Sequence, residues 1–102
     1  KIEIFRKSVK LINKLFINFI KEKIKELEEA IEKYSVGDEL VTVCGDTLVL
    51  IYHVALDEFT YEITVKDDCY IVIEKFYSEV TGVTIEGNSK FNTLEEVLDF
   101  IY

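Results

Sequence analysis

The chain has 102 residues, 49% of them hydrophobic, and a formal net charge of −8. That is enough for one domain with a real core, while no apolar run reaches the roughly 20 residues that a bilayer-spanning helix needs. Two cysteines are too few for a disulfide scaffold or an all-cysteine zinc site, and the lack of proline argues against long disordered linkers.

Charge is distributed unevenly along the chain. Residues 1–25 hold eight Lys/Arg against Glu3 and Glu22, a net of +6, and residues 26–102 hold four Lys against eighteen Asp/Glu, a net of −14. An acidic body disfavours nucleic-acid binding by the sheet and favours a basic partner; solubility alone is the plainer reading. No secretory signal is visible, so the expected location is cytoplasmic. The sequence opens at Lys1 rather than Met, which leaves targeting by a preceding segment open.

Ile2, Ile4 and Phe5 suit either a short edge strand or an early helical turn. Ser8 suits an N-cap, and the spacing predicts a helix over 8–35. Phe5, Val9, Ile12, Phe16, Ile20, Ile24, Leu27, Ile31 and Tyr34 recur at steps of three or four, which makes one apolar stripe. Gly37 suits the left-handed position that ends such a helix. The helix would run about 39 Å, whereas a strand of eight residues covers about 27 Å. It must overhang the sheet or bend around it. Leu11, Leu15 and Phe19 add a second apolar patch in the first half only. Three occupants suit that patch: the N-terminal segment or the last helix of the same chain, a second copy, or a membrane surface, given the interleaved lysines. Large exposed patches are scarce on soluble domains, and a membrane is not the expected occupant.

Residues 39–86 read as an antiparallel meander of four or five strands. Turns are expected at Gly45-Asp46, Asp57-Glu58 and Asp67-Asp68. The first pairs Val43 with Leu48 and Val41 with Leu50. The second pairs Leu56 with Phe59, Val54 with Tyr61, Tyr52 with Ile63 and Leu50 with Val65. The third pairs Val65 with Tyr70, Ile63 with Val72 and Phe59 with Phe76. All these residues fall on one face, with Glu74 opposite Tyr61 as the polar exception, and the helix stripe packs against them. The other face is mixed. Val49, Ile51, Ile71 and Ile73 are too many apolar groups for a fully wet surface, so the C-terminal helix or a second copy is expected to cover part of it. Val83 and Ile85 suggest a fifth strand and Gly87-Asn88 a turn. Thr93 and Glu96 form a capping box, and Leu94, Val97, Leu98 and Ile101 stripe a short helix over 94–101 that must dock to be stable.

Few residues carry the marks of chemistry. His53, the single histidine, is expected opposite Glu62 as a cross-strand pair. Cys44 lies about 20 Å from it along the ladder, and Cys69 lies two strands away, so no Cys–His dyad forms. The two thiols sit about 14 Å apart, beyond disulfide reach, and read as small packed side chains. The acidic pairs Asp38-Glu39, Asp57-Glu58, Asp67-Asp68 and Glu95-Glu96 all fall at turns or a helix start, where structure alone accounts for them. None has calcium-loop spacing, and no phosphate loop, HExxH or GxSxG is present. No catalytic residue, metal or cofactor is expected.

A helix followed by an antiparallel meander resembles the cystatin-like arrangement, in which a Gln-x-Val-x-Gly hairpin follows the helix. Here the matching stretch is Val41-Thr42-Val43-Cys44-Gly45. Val43 and Gly45 fit, and Val41 stands in the place of the Gln. The resemblance implies the topology, and protease inhibition is not carried over.

The residues together predict a single α+β domain over 1–102: a long N-terminal helix on a curved four- to five-stranded antiparallel meander, closed by a short C-terminal helix. The expected function is a non-enzymatic, acidic protein–protein interaction module that forms a homodimer. Leu11, Leu15, Phe19, Val49, Ile51, Ile71 and Ile73 are the candidates for self-association. Asp57, Glu58, Glu62, Asp67 and Asp68 are the candidate surface for a basic partner, whose nucleic-acid-binding face the protein could occlude. The rival readings are an assembly subunit, a carrier of a small apolar ligand, and an enzyme centred on His53, Glu62 or a cysteine.

Overall fold

The computed structural model describes the backbone of residues 2–35 and 38–102, and all their side chains except those of Ile2, Glu3 and Phe5. The order is α1 (Ile2–Tyr34), β1 (Leu40–Cys44), β2 (Thr47–Val54), β3 (Asp57–Val65), β4 (Tyr70–Tyr77), β5 (Thr84–Phe91) and α2 (Leu94–Ile101). The five strands form one antiparallel sheet in sequence order. This is an α+β fold, with both helices on one face of a meander. The expected glycine end of α1 at Gly37 lies outside the described residues.

The first helix starts earlier than expected. Ser8 is not its N-cap: the hydroxyl donates to the Ile4 carbonyl one turn back, at 3.1 Å, as mid-helix serines do. With no Gly or Pro before residue 37, nothing interrupts propagation from the docked half of the helix. The helix of 33 residues is about 50 Å long, while the sheet under it is about 30 Å deep.

Only the second half of α1 is packed. Ile20, Ile24, Leu27 and Ile31 are buried with Leu48, Leu50, Ile63, Val65, Tyr70 and Val72 of the sheet and Val97 and Ile101 of α2. Each fully buried aliphatic side chain contributes about 1.5–3 kcal/mol. The expected stripe therefore docks from Ile20 onward, and its earlier members Val9, Ile12 and Phe16 are exposed. The helix overhangs; it does not bend around the sheet. The molecule measures 64 × 27 × 21 Å, with a radius of gyration of 17.1 Å. A compact domain of this length has a radius of about 13 Å, and the projecting helix accounts for the excess.

Two of the three expected turns hold in register. The Gly45-Asp46 turn pairs Val43 with Leu48 and Val41 with Leu50, and Gly45 has the positive φ of 63° that a type II′ turn asks of its first central residue. The Asp67-Asp68 turn pairs Val65 with Tyr70 and Phe59 with Phe76. The middle turn is elsewhere. It falls at Ala55-Leu56, so that Val54 pairs with Asp57, Tyr52 with Phe59 and Leu50 with Tyr61. Ala55 takes a φ of 56°, so an alanine fills a place where glycine is usual. The slip is four residues, an even number, so the faces survive while every partner across β2 and β3 changes.

The end of the chain also departs from expectation. Gly87 and Asn88 lie inside β5, opposite Glu74 and Ile73, not in a turn. The strand therefore continues to Phe91 rather than ending by residue 86. The α2 cap is present in altered form. The Thr93 hydroxyl accepts from the Glu96 N–H at 3.2 Å, and the Glu96 carboxylate accepts from that hydroxyl rather than from the Thr93 backbone. Beside α1, on the same face of the sheet, α2 packs over β4 and β5, with Phe100 against Phe91 and Tyr61. It does not cover the other face.

Candidate interaction surface

The projecting half of α1, from Ile4 to Phe19, carries eight exposed large hydrophobic residues among those described. Leu11, Ile12, Leu15, Phe16 and Phe19 are 46–64% exposed, where residues of their type are ordinarily inside. The arm is two-sided. Successive residues turn by 100°, which gathers these side chains with Ile4 and Val9 into one half of the helix surface. Arg6, Lys7, Lys10, Lys14 and Lys21 fall in the other half, and residues 4–21 contain no acid. Leu11, Leu15 and Phe19, expected as a self-association seam, thus share one exposed face.

The arm leaves the body at an identifiable place. The Lys23 ammonium donates to the Lys66 carbonyl at 2.8 Å and lies 4.6 Å from the centre of the Tyr70 ring, a cation–π contact. This ties the helix to the β3–β4 turn. Next to it, on the arm side, Phe16, Ile17, Ile20, Lys21, Gly45, Asp46, Val65, Lys66 and Asp67 line a groove of about 370 Å³. Its lining is mainly apolar, and its charged members are two lysines, Lys21 and Lys66, and two aspartates, Asp46 and Asp67. The Asp46 carbonyl accepts from the Val65 N–H at 2.8 Å, which holds the two turns side by side as one wall.

The outer face of the sheet is a poorer surface than expected. Val49 and Ile51 of β2 and Ile71 and Ile73 of β4 are each partly buried. Between the two pairs runs the polar column of β3, since Val49 faces Glu62, which faces Ile73, while Ile51 faces Thr60 and Thr64 faces Ile71. Glu62 is also paired with Lys75 at 3.2 Å. The apolar groups form two narrow columns, not one patch, and no element among the described residues covers them.

The five acidic candidates are dispersed. Asp57 and Glu58 stand at one end of the sheet, Asp67 and Asp68 at the other, and Glu62 lies between them on the outer face. His53 meets Glu58 rather than Glu62, at 3.8 Å with both side chains well exposed. The register leaves six residues of β2 between His53 and the end where both thiols lie, about 20 Å. Both thiols are free: Cys69 is buried, but Cys44 is exposed rather than packed. The Asp68 carboxyl is held below its usual range, chiefly by a hydrogen bond with the Cys69 thiol.

A further feature was hidden by the misplaced middle turn. Tyr52, Phe59 and Phe76 line up across three strands at 4.9 Å between successive centroids, Tyr52 stacked on Phe59 and Phe76 tilted against Phe59 by 50°. Burial first, then hydrogen bonds with Tyr52 and Glu74, push the Tyr61 hydroxyl far above the usual tyrosine range. This row closes the far end of the core, and Val54 and Ile85 beside it are exposed. The signal in the sequence was alternation in β2 and β3; the pairing of Tyr52 with Phe59 needed the correct turn.

No described helix is long and apolar enough to cross a membrane. Comparison with protein-family models, curated proteins and solved structures finds no match.

Proposed function

We propose that this protein is a self-associating interaction module without catalytic function, assembled through the α1 arm as a homodimer. One observation carries the reading: the apolar half of the arm stands in water over four turns. Seven exposed apolar residues, from Ile4 to Phe19 with Ile17 left aside on the basic half, each offer about 100 Å² for burial. Their sum, about 700 Å² per copy, approaches the 800 Å² per partner of an ordinary stable interface. At 25 cal/mol per Å² the gross gain is ample for association, even after the loss of rotational and translational freedom. The outer sheet face, with its apolar columns split by β3, is a weaker candidate for the same role. Dimerisation through the arm leaves the acidic body free to meet a basic partner, in the manner of a charge decoy.

The test is solution mass across a range of protein concentration. The wild-type chain is expected at twice 11.9 kDa, Leu15→Glu at the monomer mass with unchanged far-UV circular dichroism, and Ile71→Glu at the dimer mass. A monomeric wild type refutes the reading. A dimer that persists in Leu15→Glu and dissociates in Ile71→Glu moves the seam to the sheet.

A further inference from the structure

Resting on the acidic-body half of that reading, and not on the arm, we propose that the free edge of β1 takes up an extended basic segment of a partner protein. The segment adds to the sheet as a further strand, with Lys or Arg at alternate positions seated between β1 and α1. Four observations converge on this surface.

The first is an unpaired backbone. β1 ends the strand order, and no described strand pairs with its outer side. The Val65 N–H donates to the Asp46 carbonyl at 2.8 Å, which sets the phase of the ladder, because opposed residues alternate between hydrogen-bonded and open pairs. Leu48 and Leu50 therefore bond toward β3, and Thr47, Val49 and Ile51 bond toward Cys44, Thr42 and Leu40. The backbone N–H and C=O groups of Val41 and Val43 point outward, where an added strand bonds to them.

The second is the lack of edge protection. Exposed edges are ordinarily guarded by charged side chains, proline or a bulge. β1 reads LVTVC and its register with β2 is unbroken, so it has none of these. The opposite edge, β5, carries Glu86 and Lys90.

The third is the groove beside the edge. Glu28, Ile31, Glu32 and Ser35 of α1 and Val41 and Val43 of β1 line a groove of about 400 Å³. Side chains opposite Val41 and Val43 on an added strand share their face and enter it. Its charged members are the two glutamates. The Ser35 hydroxyl donates to the Glu39 carboxylate, which sets a third acid at one end. Lys25, on the same flank one turn before Glu28, is outside the lining.

The fourth is spacing. α1 runs alongside β1, since Lys21 lies by Gly45 and Ser35 meets Glu39. Residues 21 to 35 of the helix rise about 21 Å, and residues 39 to 45 cover about 20 Å. Glu28 and Glu32 are about 6 Å apart along the helix, and alternate side chains of a strand are about 7 Å apart. Two cations two residues apart thus meet two carboxylates one turn apart, with their aliphatic stems over Ile31, Val41 and Val43.

Charge selects the occupant. A second copy pairing through β1 would bring its own Glu28 and Glu32 against these two, and opposed like charges penalise that contact. No described strand of this chain carries two cations: β4 has Lys75 and β5 has Lys90. A basic extended segment of another protein satisfies the edge and the carboxylates together.

The experiment is fluorescence anisotropy of a labelled peptide, Thr-Val-Lys-Val-Lys-Val-Thr, with the full chain. The isomer Thr-Val-Val-Lys-Lys-Val-Thr, whose lysines face opposite sides, is expected to bind more weakly. Methylating both lysine backbone nitrogens of the first peptide should weaken it about thirtyfold. Replacing Glu28→Gln and Glu32→Gln together should weaken it about fivefold, with circular dichroism unchanged. Leu15→Glu should bind it as the wild type does. No binding, equal affinity for the two isomers, or indifference to backbone methylation overturns the edge site, whatever the oligomeric state. A dimer that dissociates in Val43→Pro, whose lost N–H points away from β2, gives the edge to a second copy and overturns the basic occupant. A monomeric wild type that prefers the alternating peptide refutes the arm reading and leaves this site standing.

Discussion

Leu15 and Leu27 make a matched pair: the same residue on the same helix, three and a third turns apart. Leu27 is fully buried and Leu15 is 59% exposed. Truncating Leu27 to alanine removes three carbons from a closed core between α1, α2 and the sheet, a change that costs about 3 kcal/mol in sites of this kind. In a domain of this size that lowers Tm by about 12–24 °C. Truncating Leu15 removes carbons that already touch water, and alanine is as good a helix former, so the monomer loses less than about 0.5 kcal/mol. The assay is thermal and urea unfolding followed by circular dichroism, at a low and a high protein concentration. At low concentration Leu27→Ala is strongly destabilised and Leu15→Ala melts with the wild type. At high concentration the wild type gains stability by mass action, and Leu15→Ala gains less. If Leu15→Ala cost as much as Leu27→Ala at low concentration, the arm would be folded against its own body, and the account of α1 given above would fail.

Ala55→Gly should stabilise, raising Tm by a few degrees, because relief of the left-handed strain of about 1–2 kcal/mol exceeds the entropic cost of glycine; a fall in Tm would place the β2–β3 turn elsewhere. Thr93→Ala should cost about 1 kcal/mol by removing the acceptor for the Glu96 N–H, read as a Tm shift that Thr93→Ser largely restores. Tyr61, Tyr70 and Tyr102 all have hydroxyls raised above the ordinary tyrosine range near 10, burial being the first cause in each. The folded state therefore holds protons that the unfolded chain releases, so their contribution is complete below pH 10 and is lost as pH climbs through the folded values. Tyrosinate absorbance should rise in two stages, the second coinciding with unfolding, and a single stage at the ordinary value would contradict this. A thiol reagent should modify Cys44 at once and Cys69 only on the timescale of opening; equal rates would mean that Cys69 is not buried.

The fold class, both helices and the assignment of side chains to the two faces of the sheet follow from the sequence alone. Periods of 3.6 and 2 are local properties, and an even slip in register leaves them untouched. The β2–β3 turn was not legible because its strained position is held by Ala55, which carries no turn signature, while Asp57-Glu58 two residues on carries one. Strand pairing is decided by which contacts win across the whole sheet, and here the stacking of Tyr52 on Phe59 belongs to the register that won. The arm shows the same division. Its amphipathic pattern could be read directly, and so could the excess of helix length over strand length. That α1 docks only from Ile20, and that α2 lies beside it rather than behind the sheet, are questions of where mass sits in three dimensions. A stripe records what a helix can bury; only the finite area of the sheet beneath it determines how much of the stripe is left in water.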